Sequence, residues 1–528
     1  MDFQLQPLDA VIVAIYLVFV IILGFYFSKK HQGAEDYFLA GRNLTWPIIG
    51  FSLFASNMSS NSLVGLAGAG FKDGFSVYNY EWMAVLILII FSVFFLPFYL
   101  KNKIFTIPEY LERRYSYPVR AYASVIAIVL NVLVDISATL YAGGIVIQLI
   151  FPQFSLLHIV AVLAVIAGIY TITGGLSSVM YTDAAQAVIL ILGSMMITYF
   201  AYQAAGGWEA VRAVTPSTHF DILKPADDPT LPWPAVFTGV FLIGFYFWGT
   251  NQYITQRTLA SRNINHGQWG AMFAGLLKVG ILFIMIFPGA FARVLYPELA
   301  DKVDLIYPTM LFDLLPSGIR GIVLAGLIAA MMSSLDSGFN SVSTLFTMDF
   351  YNKFRPDTDT KTLMRVGRYC TFIIMVFAIF WAPQIGKFEK LWDYLQNTLA
   401  WFCPPIIALF VAGLFSKKTS NEGALAGIGV GFFITLVLIF NQLLSLEIPL
   451  PHFLYMATIH FLVCLATIFA VSIRKKEKRS DEVLDQMVWT VAEHQRASAE
   501  LKNLPWWQNF RWHGLVLILI VIAILLKF

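Results

Sequence analysis

The chain has 528 residues, of which 58% are apolar and only 13% are charged, and its mean hydropathy is +0.71. A soluble domain has nearer half apolar and a quarter charged residues, so this composition excludes an ordinary soluble enzyme, a disordered chain and a disulfide scaffold. The net charge of +3 is too small to indicate a nucleic-acid partner. We therefore expect an all-α polytopic membrane protein in a lipid bilayer, whose few charges mark the loops or the working site.

Fourteen stretches are long and apolar enough to predict membrane-spanning helices, each of which needs about 20 residues. We number them spans 1 to 14 in chain order. They cover residues 8–28, 46–70, 81–100, 119–150, 155–173, 182–204, 234–252, 269–296, 318–349, 366–383, 391–416, 422–443, 451–473 and 512–527. Between the spans, residues 205–233 predict a long outer loop, and residues 480–503 predict a surface helix.

The positions of lysine and arginine predict the orientation, because cytoplasmic loops are enriched in both residues. The loops after odd-numbered spans carry most of them, especially 101–120 and 474–511. We therefore expect a multi-pass protein of the plasma membrane, the inner membrane of a bacterial cell, with both termini on the extracellular or periplasmic side.

Span 2 carries a run of small and polar residues at mid-depth, from Ala55 to Ser62. Such side chains compete for backbone hydrogen bonds and favour unwinding. Irregular backbone is tolerated in a membrane only where it lines a cavity or is buried in protein. The alternative interpretation is an ordinary helix-packing face of small residues.

Span 7 has a similar interruption, where an aromatic run meets Gly249, Thr250 and Asn251. Two broken helices five spans apart predict two five-span repeats, the second inverted, which is the architecture of many secondary transporters. The expected organisation is a first helix and loop, a first repeat (spans 2–6), an outer loop, a second repeat (spans 7–11), spans 12–13, a cytoplasmic linker and span 14. The corresponding ranges are 1–45, 46–204, 205–233, 234–416, 417–473, 474–511 and 512–528.

Several long motifs then carry a family resemblance. They are DYFLAGRNL, SLFASNMSSNSLVGLAGAG, YEWMA, TIPEYLERRY, YTITGGLSSVMYTDAAQ, NQYITQRTLAS, SSLDSGFNSVSTLFTMDFY and GLFSKKTSNEGALAG. The chain resembles the sodium/solute symporters, most closely their sodium/glucose cotransporter branch, from about residue 8 to 470. The resemblance implies a LeuT-like fold with a 5+5 inverted repeat, broken helices 2 and 7, and Na⁺ as the coupling ion.

A sodium site is predicted where span 2 breaks beside span 9. Ala330, Ser333 and Ser334 share one helix face, at i, i+3 and i+4. Their two hydroxyls and one carbonyl, with the carbonyls of Ala55 and Met58, supply five oxygens of the kind that a hard cation prefers. The resemblance places the family's sodium site on the same five positions. The alternative is a serine pair that hydrogen-bonds its own helix.

Two acidic residues lie near this site. Asp183 is either a helix N-cap beside Thr182 or an acidic stop on the sodium exit path, and the resemblance implies a role in sodium handling. Asp336 follows Ser333 by three residues, on nearly the same face. We expect Asp183 and Asp336 to form a second sodium site or exit path with the serines; the alternative is that Asp336 pairs with a cationic group.

Ionisable residues at membrane depth are costly and mark the expected solute site. Lys278 is the clearest of these, although a purely structural role remains its alternative. The resemblance implies substrate-binding roles for Asn57, Ser62, Glu81, Asp135, Trp248, Lys278 and Gln396, and gating roles for Tyr80 and Phe247. Ser62, Gly244 and Phe247 depart from the usual sugar-transporter pattern, which leaves the identity of the solute open.

The expected function is sodium-coupled symport of a glucose- or galactose-like hexose by alternating access. The alternatives are a polyol such as myo-inositol, or another non-sugar solute. An intramembrane enzyme is excluded because the histidines are scattered and no HExxH or GxSxG motif occurs. We expect no cofactor and no metal other than Na⁺, and we see no sign of a nucleic-acid or obligate protein partner.

Overall fold

The computed structural model describes residues 5–28, 38–388, 390–444, 448–477, 479–491 and 504–528, with single positions 495, 498 and 501. These residues form helices and two isolated β-bridges. The main helices are α1 (Pro7–Ser28), α2 (Trp46–Asn57), α3 (Ser60–Lys72), α4 (Gly74–Lys101), α5 (Ile107–Arg114), α6 (Tyr117–Ile150), α7 (Leu156–Ala204), α8 (Trp208–Val214), α9 (Trp233–Thr250), α10 (Gln252–Leu259), α11 (Ile264–Leu295), α12 (Ile306–Leu314), α13 (Ile319–Phe354), α14 (Thr360–Lys387), α15 (Leu391–Phe415), α16 (Asn421–Leu443), α17 (Phe453–Arg474) and α18 (Phe510–Lys527).

Eleven helical stretches of the described chain have the length and hydropathy needed to cross a membrane. Two further apolar stretches, Pro7–Val20 in α1 and Leu156–Gly168 in α7, are shorter. The interrupted pair α2–α3 covers predicted span 2. The expectation of an all-α membrane protein is confirmed. The count of fourteen spans stays a prediction.

Both predicted helix breaks are present. Helix α2 ends at Asn57, Met58 and Ser59 leave helical geometry, and α3 begins at Ser60. The Ser62 hydroxyl donates to the Asn57 carbonyl at 2.9 Å, so it satisfies an acceptor that the break releases. Between α9 and α10, Asn251 is extended, and its side chain caps α10 by accepting from the backbone N–H of Tyr253.

Helix α7 differs from the prediction of two helices separated by a loop. Predicted spans 5 and 6 lie on one helical stretch of 49 residues. This stretch does not run straight, because Thr171 and Asp183 bond to Asp336 and Ser333, which are one turn apart on α13. The residues between 173 and 182, expected as a loop, are helical. The Thr182 hydroxyl donates to the carbonyls of Ser178 and Val179, so it bonds within the helix rather than ending it.

Two predicted connecting segments also differ. Residues 205–233 contain a short helix, α8, and a 3-10 turn at Ser217–His219, rather than a plain loop. In the predicted surface helix 480–503, only Asp481–Leu484 is α-helical before residue 490. Here tertiary hydrogen bonds replace helical ones, since Trp489 N–H donates to the Leu414 carbonyl at 2.8 Å. Much of the segment after residue 491 lies outside the described residues.

Helix α13 is the most deeply buried of the long apolar helices in the described chain. It packs against α7, α1 and α14, and its middle contacts α2 just before the break. Short π-helical turns interrupt α6 at Asn131–Ile136 and α9 at Tyr246–Thr250. Such turns re-aim side chains and are frequent at functional sites; here they carry Asp135, Phe247 and Trp248.

Candidate functional site

A cavity of about 90 Å³ lies beside the α2–α3 break, and we call it the central cavity. It is walled by α4, α6, α9, α11 and α15 as well as by the broken pair. All the residues predicted to bind substrate or to form gates line it, namely Asn57, Ser62, Tyr80, Glu81, Asp135, Phe247, Trp248, Lys278 and Gln396. The tertiary structure therefore brings together side chains that are far apart in the sequence.

Lys278 forms a hydrogen-bonded ion pair with Glu81 inside the protein, where the two side chains are 1% and 6% exposed. The ammonium group also donates to the Asn57 side-chain carbonyl and lies 5.5 Å from the centre of the Trp248 ring. A buried ammonium is tolerated only when it is paired and hydrogen-bonded. The arrangement thus holds a cation, a carboxylate, an amide and an aromatic face together at the cavity wall.

Aromatic rings close the cavity on two sides. Tyr80 packs edge-on against Trp392, with ring centres 5.5 Å apart, and Phe247 packs against Trp248 at the same distance. Phe247 also lies near Tyr253, with ring centres 6.3 Å apart. The Tyr253 hydroxyl donates to the Ser56 carbonyl at 2.6 Å. Trp392 and Tyr253 were not predicted. Trp392 precedes Gln396 by four residues and so shares its helix face, a signal that the sequence contained.

A second cavity lies on the far side of Tyr80 and Trp392. It shares these two rings and Gln396 with the central cavity, and it also contacts Asp73 and Asp393. Lys390 bridges these carboxylates, at 3.0 Å from Asp73 and 3.1 Å from Asp393. The ion-pair cluster ties the end of α3 to the start of α15.

The predicted sodium ligands meet where α13 approaches α2. The Ser334 hydroxyl donates to the Ser56 carbonyl at 3.2 Å, and the Ser333 hydroxyl donates to Asp183 at 2.5 Å. Ala55, Met58 and Ala330 are buried in the same region of contact, at the break and one turn before Ser333. The structure therefore brings the two predicted hydroxyls to the broken helix, where protein groups accept their hydrogen bonds.

Asp183 lies well inside α7, so the N-cap interpretation is wrong. Its carboxylate accepts from Ser52 at 2.5 Å and from Ser56 at 3.2 Å. The guanidinium of Arg257, which was not predicted, lies 3.5 Å away and is fully buried. The motif NQYITQRTLAS contains this arginine. Its position in an otherwise uncharged helix was the feature of the sequence that could have predicted a role for Arg257 in this site.

Asp336 is buried beside Thr171, whose hydroxyl donates to one carboxylate oxygen. The other oxygen has no hydrogen-bond partner. Within the part of the chain that the structure describes, Asp336 forms no ion pair with a cationic side chain, so the alternative of a charge partner is not met there. Asp183 on α7 and Asp336 on α13 thus both connect these two helices, but through different partners.

Comparison with known proteins identifies the family. The family described as the sodium:solute symporter family matches residues 37–431. Sodium/myo-inositol cotransporter 2 of Homo sapiens is 34% identical over 535 residues, which cover 92% of this chain and 79% of that protein. Sodium/glucose cotransporter 1 of Ovis aries is 34% identical over 538 residues, covering 92% of this chain and 81% of that protein.

A solved structure of a Na⁺-coupled sialic acid symporter in a substrate-bound outward-open state shares the fold. Its TM-score is 0.78 at 22% identity, and the match covers 89% of this chain and 98% of that one. The likeness confirms the expected LeuT-like fold. The curated relatives are transporters rather than enzymes. This chain therefore belongs to the sodium:solute symporter family, as a membrane protein that couples the movement of a small solute to Na⁺.

Proposed function

We propose that the chain imports a polyhydroxylated solute, a glucose- or galactose-like hexose, together with Na⁺. The observation that carries this proposal is the network of Lys278, Glu81 and Asn57 beside Trp248. Sugar hydroxyls both donate and accept, so they suit a mixture of ammonium, carboxylate and amide groups, and an aromatic face suits the C–H side of the ring. The names of the relatives, sodium/glucose and sodium/myo-inositol cotransporters, support the same class of solute.

A polyol such as myo-inositol is the alternative within this class, and another non-sugar solute is a more distant one. The Ser62 hydroxyl already donates to the Asn57 carbonyl and lies 3.3 Å from the Asn61 side-chain oxygen. Gly244 and Phe247 add no polar group to the cavity wall. Contacts of the solute at these positions would therefore run through water, which a hexose and a polyol can both use.

The proposed sodium site joins the carbonyls of Ala55, Met58 and Ala330 to the hydroxyls of Ser333 and Ser334. A hydroxyl binds sodium through a lone pair and keeps its proton, so Ser334 and Ser333 can still donate to the Ser56 carbonyl and Asp183. The ion would fix the α2–α3 break against α13. Asp183 and Asp336 are the proposed second site or exit path. Because the same break borders the central cavity, sodium and solute stabilise one another's binding, and the coupling is reciprocal.

In the proposed cycle, Tyr80 and its neighbour Trp392 form the outer gate, and Phe247 forms the inner gate. The orientation keeps both termini outside the plasma membrane, which puts the second cavity on the outer side. The core around the central cavity rocks, Phe247 and its neighbours clear the path, and sodium leaves past Asp183. Each translocated positive charge contributes about 2.3 kcal/mol per 100 mV of membrane potential.

The test is uptake by proteoliposomes that contain the purified full chain. Labelled glucose, galactose and myo-inositol are compared with and without an inward sodium gradient. We expect sodium-dependent uptake of at least one of them, lost in Lys278→Met and retained in Lys302→Met, since Lys302 is an exposed residue that does not line the cavity. Uptake that does not depend on the sodium gradient would contradict the proposal. Failure to take up any of the three labelled solutes would also contradict it.

A further inference from the structure

One acidic side chain at the wall of the central cavity has no partner among the described residues. Its lining includes three charged side chains, Glu81, Asp135 and Lys278. Glu81 and Lys278 neutralise each other in the ion pair described above. Among the residues that the structure describes, no cationic side chain pairs with Asp135 and no side chain donates a hydrogen bond to it. With Asp135 ionised, the cavity wall therefore has a net charge of −1.

Asp135 is also well removed from bulk solvent. It is 7% exposed and sits on the π-helical turn of α6, with Val134 beside it at the cavity wall. A carboxylate in such surroundings is costly unless a cation or several hydrogen-bond donors accompany it. Since the described protein groups supply neither, Asp135 can be ionised only when the contents of the cavity supply the partner.

Gln396 provides a second unpartnered acceptor at the same side of the cavity. It is 7% exposed, lines the cavity, and its side-chain carbonyl has no hydrogen-bond donor. The helices that carry the two residues are tied together close by, because the Tyr394 hydroxyl of α15 donates to the Leu133 carbonyl of α6 at 2.8 Å. Two buried acceptors, one of them anionic, thus face the cavity from adjoining helices.

We propose that the preferred solute carries a protonated amine, as amino sugars and amino cyclitols do, and that this ammonium group pairs with Asp135 and donates to Gln396. The inference rests on the proposed import of a polyhydroxylated solute and narrows its class. An ammonium group supplies three donors and the missing positive charge at once. A neutral hydroxyl supplies one donor and leaves the charge uncompensated.

The first experiment is competition in proteoliposomes at neutral pH. A hexose and its 2-amino-2-deoxy derivative are compared as inhibitors of sodium-driven uptake of the labelled solute. We expect the amine to inhibit at an about tenfold lower concentration, the factor that corresponds to 1.4 kcal/mol. In Asp135→Asn the preference for the amine disappears, whereas in Asp227→Asn, an equal change at an exposed position that lines neither cavity, it persists. Equal inhibition in the unaltered protein, or a preference retained in Asp135→Asn, overturns the inference.

The second measurement needs no variant, and so it does not depend on how well Asp135→Asn folds. Transport current and isotope flux are recorded together for the hexose and for its amino derivative. The amine is expected to carry one additional positive charge per solute molecule, and an equal charge-to-flux ratio counts against the inference. If neutral hexoses and polyols enter with sodium but the amine is not preferred, this inference alone fails. If no member of the solute class enters with sodium, the proposed function fails.

Discussion

The Arg257 guanidinium lies 3.5 Å from the Asp183 carboxylate, and both side chains are fully buried. The same guanidinium donates to the hydroxyls of Ser56 and Ser337, and Ser333 donates to Asp183. This network connects both broken helices with α7 and α13. A sodium ion that reaches Asp183 therefore meets a carboxylate whose charge a fixed arginine already balances in part.

A second sodium ion at Asp183 and Asp336 would make transport cooperative in sodium. We expect sodium activation of solute uptake with a Hill coefficient above one, and a reduction to about one in Asp336→Ala. Asp221→Ala, which removes a carboxylate from the segment 205–233, serves as the control and leaves the coefficient as it is. A coefficient of one in the unaltered protein that stays at one in Asp336→Ala rules out the second ion.

Removal of the Ser334 hydroxyl is expected to abolish sodium-dependent uptake without loss of expression. The substitution Ser334→Ala deletes one proposed sodium ligand and the hydrogen bond to Ser56. Ser341→Ala is the matched control, because Ser341 is buried on the same helix and its hydroxyl has no hydrogen-bond partner. Sodium titration of uptake separates the two variants, and full sodium dependence in Ser334→Ala contradicts the proposed ligand set.

Loss of the Lys278 ammonium is expected to destabilise the protein as well as to stop transport. Lys278→Met leaves Glu81 as a buried carboxylate without its partner, a change that costs about 3–5 kcal/mol. Thermal unfolding in detergent should show a lower transition temperature. The double substitution Lys278→Met with Glu81→Gln should recover much of the stability but not the uptake. A double variant as unstable as the single one is evidence against the ion pair.

Lys390 is expected to hold the outer side of the central cavity closed. It joins Asp73 at the end of α3 to Asp393 at the start of α15. Lys390→Gln should let a membrane-impermeant thiol reagent modify a cysteine introduced at Gln396 several-fold faster. Lys302→Gln, which changes an exposed lysine outside this ion-pair cluster, should not. The cysteines at 370, 403 and 464 are buried and give a low background. Equal modification rates in both variants would contradict the proposal that Lys390 holds the outer side closed.

His219 makes stability depend on pH. Burial, followed by the charge of Arg293, lowers its pKa to about 4, and its ring nitrogen lies 3.2 Å from the Gly70 carbonyl. Because the unfolded chain takes up a proton near pH 6.5 and the folded chain does not, stability is complete above pH 6.5 and falls as the pH drops toward 4. The expected loss is about 2 kcal/mol at pH 5. The transition temperature of thermal unfolding, measured between pH 5 and 8, should depend less on pH in His219→Gln than in the unaltered protein.

The parts that could be predicted are those that depend on local composition. The run from Ala55 to Ser62 predicted the break between α2 and α3, because adjacent hydroxyls and amides compete for the backbone. The same local reasoning was wrong for the connection between residues 173 and 182, where Thr182 bonds inside a continuous helix. It was also wrong for the residues around Trp489, whose backbone bonds to the distant Leu414.

By itself the sequence determined the membrane class, the broken helices and the family, since these follow from apolar run length, from helix-breaking side chains and from motifs that are contiguous in the chain. Only the tertiary structure decided which charges are paired. Lys278 meets Glu81, and Arg257 meets Asp183, across many helices, while Asp135 has no cationic partner in the described chain. Pairing depends on which helix faces meet, and that is a property of packing rather than of local sequence.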